Sequence, residues 1–209
     1  MGLSHLLTLS TGERIATPRW YRAGQAKLRV IQRRIARRRT GGANRRKAVV
    51  QVQRQHARVA NQRNDYLNKV VSTLIERYDT IAIENLRVTN MVKNRRLSKS
   101  ITDAGWGYFA QHLTDKAASA GREVREVNPA YTSKTCSGCG ALFTQEITLS
   151  VRRVACAACG LSLDRDHNAA INILARAQSA CDQQPAGTPP LGANVAGLPA
   201  CVAHEAAGF

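Results

Sequence analysis

Four cysteines carry the clearest chemistry in the chain. Cys136 and Cys139, then Cys156 and Cys159, form Cys-x2-Cys-x16-Cys-x2-Cys, a spacing that lets two short knuckles close a tetrahedron of thiolates around Zn2+. Gly140 and Gly160 follow the pairs directly, and a residue free to take positive φ helps the backbone turn back around a metal. Four protein ligands leave no open coordination position, so the expected zinc is structural. Redox-active thiols or a chance spacing are the other readings of the same pairs. Lys134, Arg152 and Arg153 lie in or beside this module, where they could grip a nucleic-acid backbone.

The second chemistry-bearing set is acidic. Asp79-Thr-Ile-Ala-Ile-Glu84-Asn is a short apolar run ending in an acid, the pattern of a buried strand that delivers a carboxylate to a sheet edge. Asp166 stands at the start of a helix-like stretch after the cysteines. Two-metal hydrolysis of a phosphodiester needs several carboxylates converging on divalent ions, and Mg2+ prefers oxygen ligands. Each acid also has a structural reading: Asp166 could cap its helix, and Glu84 could pair with one of many arginines.

Those arginines point to the partner. Lysine plus arginine number 31 against 14 acidic residues, for a formal charge of +17 in 209 residues. A surplus of this size repels itself unless a polyanion neutralises it, which implies nucleic acid. A merely solvated basic face is the alternative. From Arg19 to Arg63 there is no acidic residue, and the candidate phosphate contacts in and near this arm are Arg33, Arg34, Arg37, Arg38, Arg45, Arg46 and Lys47, with Lys93, Arg95 and Arg96 further on. No apolar run approaches the roughly 20 residues that span a bilayer, and the N-terminus has no secretory pattern. The expectation is a cytoplasmic protein without membrane contact, whose paired cysteines hold metal and not disulfides.

The elements that must position these groups are legible in outline. Ser4 to Leu9 reads as a strand entering the Ser10-Thr-Gly12 turn, with Arg14 to Ala16 as its return. Leu28, Ile31 and Ile35 share one helical face. After Gly41-Gly42, the residues Val49, Val52, His56, Val59, Tyr66, Val70 and Leu74 continue at spacings of three and four, which predicts a helical hairpin over about 19–78. Arg87 to Lys99 reads as a basic linker and Ser100-Ile-Thr-Asp103 as a capping box. The helix it opens buries Trp106, Phe109, Leu113 and Ala117 and ends at Gly121, before a strand over Glu123 to Asn128. Tyr131 beside the cysteine module reads as a packing or backbone contact, and His167 as a helix N-terminal residue. Cys181 and Cys201 fall in an Ala/Gly/Pro-rich tail expected to be disordered.

Several long stretches together resemble one family. Ile81-Ala-Ile-Glu84-Asn-Leu, Met91-Val-Lys-Asn, Leu97-Ser-Lys-Ser-Ile-Thr-Asp-Ala-Gly-Trp106, Ser133-Lys-Thr-Cys-Ser-Gly-Cys-Gly140 and Asp164-Arg-Asp-His-Asn-Ala-Ala-Ile-Asn-Ile-Leu174 look like the TnpB/OrfB proteins of bacterial insertion sequences, over about Gly2 to Ala177. The resemblance implies an α/β fold: a partial RNase H-like (RuvC) domain with an inserted basic helical hairpin and an inserted zinc ribbon. Residues 1–128 would hold the RuvC-like part with the hairpin, 129–163 the zinc ribbon as a target nucleic-acid-binding module, 164–177 the last RuvC helix and 178–209 the tail. It also implies DNA and a guide RNA as partners, DNA cleavage with magnesium, and kinship with compact type V CRISPR effectors. Glu84 matches the family's second catalytic acid and Asp166 its third, with Asp164 ranked below. Met1-Gly2-Leu3 falls where the family continues just after its first catalytic aspartate, so this chain alone is expected not to cut. The alternative is a nuclease-dead DNA- or RNA-binding protein, repressor-like or the product of a decayed gene. Direct transposition chemistry has little support, because the tyrosines are scattered.

Overall fold

The computed structural model describes residues 1–182 apart from Leu3 and Leu149. Strands β1 (His5–Thr8) and β2 (Arg14–Ala16) form an antiparallel pair. In their turn Gly12 takes φ +89°, and a side chain there would meet the His167 ring at 3.4 Å. The hand of the backbone requires glycine, while the space would admit a Cβ in ordinary contact with the ring. Helices α1 (Trp20–Ala36) and α2 (Ala43–Arg77) follow, then β3 (Thr80–Glu84), α3 (Val88–Met91), α4 (Ser98–Ala104), α5 (Trp106–Ser119), β4 (Glu123–Val127), β5 (Arg153–Ala155), β6 (Ser162–Asp164) and α6 (Arg165–Asp182). Residues 178–182, expected in the tail, thus continue the last helix, while Cys201 and the rest of the tail lie outside the described residues. No helix among the described residues is long and apolar enough to cross a membrane.

The chain divides into two compact units, one of residues 17–73 and 87–113, the other of 1–16, 74–86 and 114 onward. The first is helical. Helices α1 and α2 run antiparallel, as the Trp20 and Tyr66 rings meet edge to face at 5.4 Å and a methyl on Gly24 would lie 3.2 Å from both Val59 and Gln55. Leu28 and Ile31 are buried from α1, and Ala48, Val59, Leu67, Val70 and Val71 from α2. The sequence reading of the α2 seam slips by one position near its start. Val49 and His56 are exposed, whereas Ala48 is buried and Gln55 partly so. An arginine-rich helix offers few large apolar residues to fix its phase, and one residue rotates the face by about 100°.

Asp103 corrects a second expectation. It does not cap a helix start: it lies inside α4, 6% exposed, where its Oδ1 accepts the Tyr21 N–H at 3.0 Å and Arg63 Nη2 at 3.2 Å. Arg63 Nε also donates to the Asp103 carbonyl at 2.9 Å. One carboxylate therefore ties α1, α2 and α4. Asp103→Ala strands the Arg63 guanidinium, whose side chain is only 18% exposed, and is expected to cost about 3 kcal/mol in denaturant unfolding followed by circular dichroism. Gly105 ends α4 at φ +69°; a methyl on it would come within 2.8 Å of the Arg63 side chain. Trp106, Phe109, Leu113 and Ala117 form the buried stripe of α5, as the spacing predicts.

The second unit carries the strands. β3 and β4 pair in parallel, Thr80↔Glu123 through Glu84↔Val127, a geometry that needs a long crossover. That crossover consists of α3, α4 and α5; α3 occupies part of the stretch expected as linker. Helix α6 packs on the pair, burying Val127, Ile173 and Ala177 with Ala82 against them. β5 and β6 form a third, antiparallel pair. The architecture is mixed α/β, and among the described residues its strands stand as three separate pairs and not as one RNase H-like sheet.

Candidate metal centre and carboxylate site

Two knuckles of matching form present the cysteines. In the first, Cys136 N–H donates to the Ala141 carbonyl at 2.8 Å and Gly140 N–H to the Cys136 carbonyl at 2.9 Å. In the second, Cys156 N–H donates to Leu161 at 2.8 Å and Gly160 N–H to Cys156 at 2.9 Å. Gly140 and Gly160 take φ +77° and +75°, a turn that L side chains resist. The bridge Thr135↔Leu142 clamps the first knuckle and the β5–β6 ladder the second.

All four Sγ atoms lie within 4.8 Å of one another. Cys136 and Cys159 are 3.7 Å apart, Cys139 and Cys156 3.6 Å. A tetrahedron with Zn–S near 2.3 Å has edges of about 3.8 Å, so the thiols stand where a zinc ion needs them. Hydrogen bonds from the Cys159 and Ala158 N–H groups pull the Cys156 thiol down to about 7. The Leu161 N–H acts to lower Cys159, yet the facing Cys139 and Cys156 sulfurs and burial push it up to about 12. Without an ion Cys159 keeps its proton at neutral pH, and a metal must displace it.

The carboxylates sit beside this module. Glu84 ends β3, and its Oε1 accepts a hydrogen bond from the buried Thr132 hydroxyl at 2.7 Å. That hydroxyl also lies 3.1 Å from the Pro129 carbonyl; the shorter contact and the carboxylate charge favour Glu84. Asp166 lies in the first turn of α6, where a negative charge suits the helix dipole. It does not cap the helix. Asp164 does so, its Oδ1 accepting the Asp166 and His167 N–H groups at 2.9 and 3.2 Å while Arg14 pairs with its other oxygen at 3.0 Å. Asp166 is held by Arg165 at 3.0 Å and Arg152 at 3.7 Å, and a methyl on Gly2 would lie 3.7 Å from its Oδ2. The His167 ring nitrogen stands 3.0 Å from the Ser10 carbonyl, an anchoring contact for α6.

Glu84 and Asp166 offer the oxygen ligands that suit magnesium. The cysteines are, among the described residues, the group of three or more candidate ligands gathered within reach of one ion; Glu84 and Asp166 belong to no such group.

One face of α6 ties the approach to the ribbon in place, and the sequence reading did not find it. Asn168, fully buried, donates to the Thr135 carbonyl at 2.8 Å and accepts the Ser137 N–H at 2.9 Å. Asn172 donates to the Thr132 and Thr135 carbonyls at 2.8 and 2.7 Å, and Arg176 to Asn128 and Ala130 at 2.8 and 2.7 Å. The spacing of four was the available signal; the partners are backbone carbonyls more than thirty residues away.

The candidate phosphate contacts fall in both units. In the helical unit Arg33, Arg34, Arg37, Arg38, Arg46 and Lys47 are exposed and Arg45 is half-buried, around the α1–α2 turn, and Lys93, Arg95 and Arg96 are exposed between α3 and α4. In the other, Lys134, Arg152 and Arg153 are exposed. Lys134 stands 6.0 Å from the Tyr131 ring, Arg152 faces Asp166 and Arg153 reaches Ser162. Arg38 donates to the Asn44 carbonyl, bracing the turn.

Comparison with known proteins places this geometry. Residues 1–95 match the family model OrfB_IS605, described as "Probable transposase", and residues 106–173 the model of the Cas12f1-like TNB domain. The chain is 42% identical over 86% of its length to a Streptomyces pristinaespiralis protein named as an RNA-guided DNA endonuclease, of which it covers 45%. It is 33% identical over 83% of its length to InsQ of Escherichia coli (strain K12), likewise named as an RNA-guided DNA endonuclease, covering 47% of that protein. The chain thus spans about half the length of these relatives. Its fold is similar to Cas12f1 in a complex with sgRNA and target DNA, with a TM-score of 0.54 at 20% identity over 77% of this chain and 43% of that one. Residues 1–95 are thus similar to the OrfB_IS605 family and residues 106–173 to the Cas12f1-like TNB domain, in a chain that resembles RNA-guided DNA endonucleases over most of its own length.

Proposed function

We propose that this chain is the C-terminal half of an RNA-guided, RuvC-like DNA endonuclease, with Glu84 and Asp166 as ligands for magnesium and the four cysteines as a structural zinc centre. The observation that carries this reading is Glu84: an acid at the end of a β-strand, oriented by a buried threonine, on a strand packed by the helix that carries Asp166. A divalent ion bound there supplies Lewis acidity toward a phosphodiester oxygen. The chain's own residues do the positioning. Thr132 fixes the Glu84 rotamer, and Arg152 and Arg165 restrain Asp166.

Two acids make an incomplete set, so this chain alone is expected to bind nucleic acid without cutting it. A fusion to the upstream half of the Streptomyces relative, loaded with guide RNA, is expected to cut matching duplex DNA in magnesium. No cutting by that fusion, with binding intact, selects the second reading, a DNA- or RNA-binding protein without nuclease activity. The observation that favours the second reading is the pairing of Asp166 with two arginines, which already neutralises one candidate ligand.

Binding itself should be strongly electrostatic. Replacing Arg37, Arg38, Arg45 and Arg46 together by glutamine is expected to reduce the slope of log affinity against log salt by about 3, at roughly 0.7 to 0.9 for each phosphate no longer neutralised. Fluorescence anisotropy across a potassium chloride series reads that slope, and an unchanged value removes the α1–α2 turn from the interface.

A further inference from the structure

Tyr131 combines two features that a structural tyrosine does not. Among the described residues it is the non-glycine with positive φ, at +63°, a left-handed conformation that costs free energy for any residue with a side chain. The residue is also 62% exposed, so burial does not offset that cost, and of the expected packing or backbone contact its backbone makes the contacts. The backbone around it is over-determined. The Tyr131 carbonyl accepts the Lys134 and Thr135 N–H groups at 3.0 and 3.1 Å. Ala130 N–H donates to Asn128 Oδ1 at 2.9 Å, and Arg176 holds the Asn128 and Ala130 carbonyls. The next residue is Thr132, whose hydroxyl reaches Glu84. A turn that needed only the left-handed conformation would be met best by glycine; here it carries an exposed aromatic ring, one residue before the threonine that reaches Glu84, with the Lys134 ammonium 6.0 Å from the ring.

We propose that Tyr131 is a stacking platform for one base of a single DNA strand, positioning the strand so that its backbone passes Glu84, with Lys134 pairing to an adjacent phosphate. Every base has a π face, so such a platform holds a strand without reading its sequence. The inference rests on the nucleic-acid-binding part of the function proposed above and names a residue that performs it.

Three forms of the zinc-loaded full chain test it: the unaltered protein, Tyr131→Phe, which keeps the ring, and Tyr131→Gly, which removes the ring and suits the backbone. Affinity for a fluorescein-labelled single-stranded DNA is measured by anisotropy over a salt series. Tyr131→Phe is expected to bind within about twofold of the unaltered chain and Tyr131→Gly about tenfold more weakly, with an unchanged salt slope, because stacking releases no counterions. The thermal midpoint of Tyr131→Gly should not fall. Unchanged affinity in Tyr131→Gly, or a loss confined to single-stranded RNA of the same sequence, overturns the assignment while the nucleic-acid reading stands. No binding by the unaltered chain overturns both.

Discussion

Cys156→Ser is expected to abolish stoichiometric zinc binding and to melt the proposed ribbon, because a bound zinc would supply most of what holds residues 129–163 together. Among the described residues of that stretch Cys136, Val154 and Cys156 are the buried hydrophobic side chains, too few for a core. Structural zinc in small modules contributes on the order of 10–16 kcal/mol at neutral pH, far above what two hairpins can supply from their own ladders. Atomic absorption on the purified chain should give one zinc per molecule and close to none in the variant, and amide NMR signals from the knuckles should collapse to random-coil positions. A protein purified without zinc, with knuckle signals dispersed, would falsify the centre. Acid should mimic the mutation. Between pH 8 and pH 6 the Cys156 thiol, near 7, takes up its proton, while the Cys159 thiol, near 12, holds one throughout, so the ion must expel protons against a rising proton concentration. Zinc retention against a chelator should therefore drop from pH 8 to pH 6, with protons released on metal uptake.

The second large effect is at Glu84. In the fusion described above, Glu84→Gln is expected to reduce magnesium-dependent cutting by at least about a hundredfold. Loss of a residue that merely orients a ligand costs about 10- to 100-fold in metal affinity or activity, and loss of the ligand should exceed that. Thr132→Val provides the calibration. It keeps shape and removes the hydroxyl that donates to Glu84, and a loss near tenfold in Mn2+ affinity, restored by Thr132→Ser, is expected. Isothermal titration with Mn2+ reads binding apart from turnover. Equal cutting by Glu84→Gln and the parent would remove Glu84 from the site.

What the sequence disclosed depended on the kind of signal. The cysteine spacing and the glycines after it encode a local geometry, and the knuckles form as that spacing requires. The strand ending in Glu84 was legible as a short apolar run closed by an acid, and the stripe through Trp106, Phe109, Leu113 and Ala117 because burial of large residues repeats with the period of the helix. The α2 seam was misphased where alanine and glutamine take the inner positions, since neither advertises burial. Asp103 looked like a capping residue by spacing, yet its partners Tyr21 and Arg63 are 82 and 40 positions away, and no local pattern encodes such a meeting. Asn168, Asn172 and Arg176 escaped for the same reason. The exposure of Tyr131 could not be read from its type, because an aromatic residue is expected inside.

The α6 face that carries Asn168, Asn172 and Arg176 limits how freely this architecture can be rearranged by recombination. Moving the cysteine module alone into another host would leave the peptide groups of 128–137 without the donors that now secure them, so a working transplant has to bring the following helix with it. A natural crossover falling between Cys159 and Asn168 should yield a chimera whose module tumbles independently of its host.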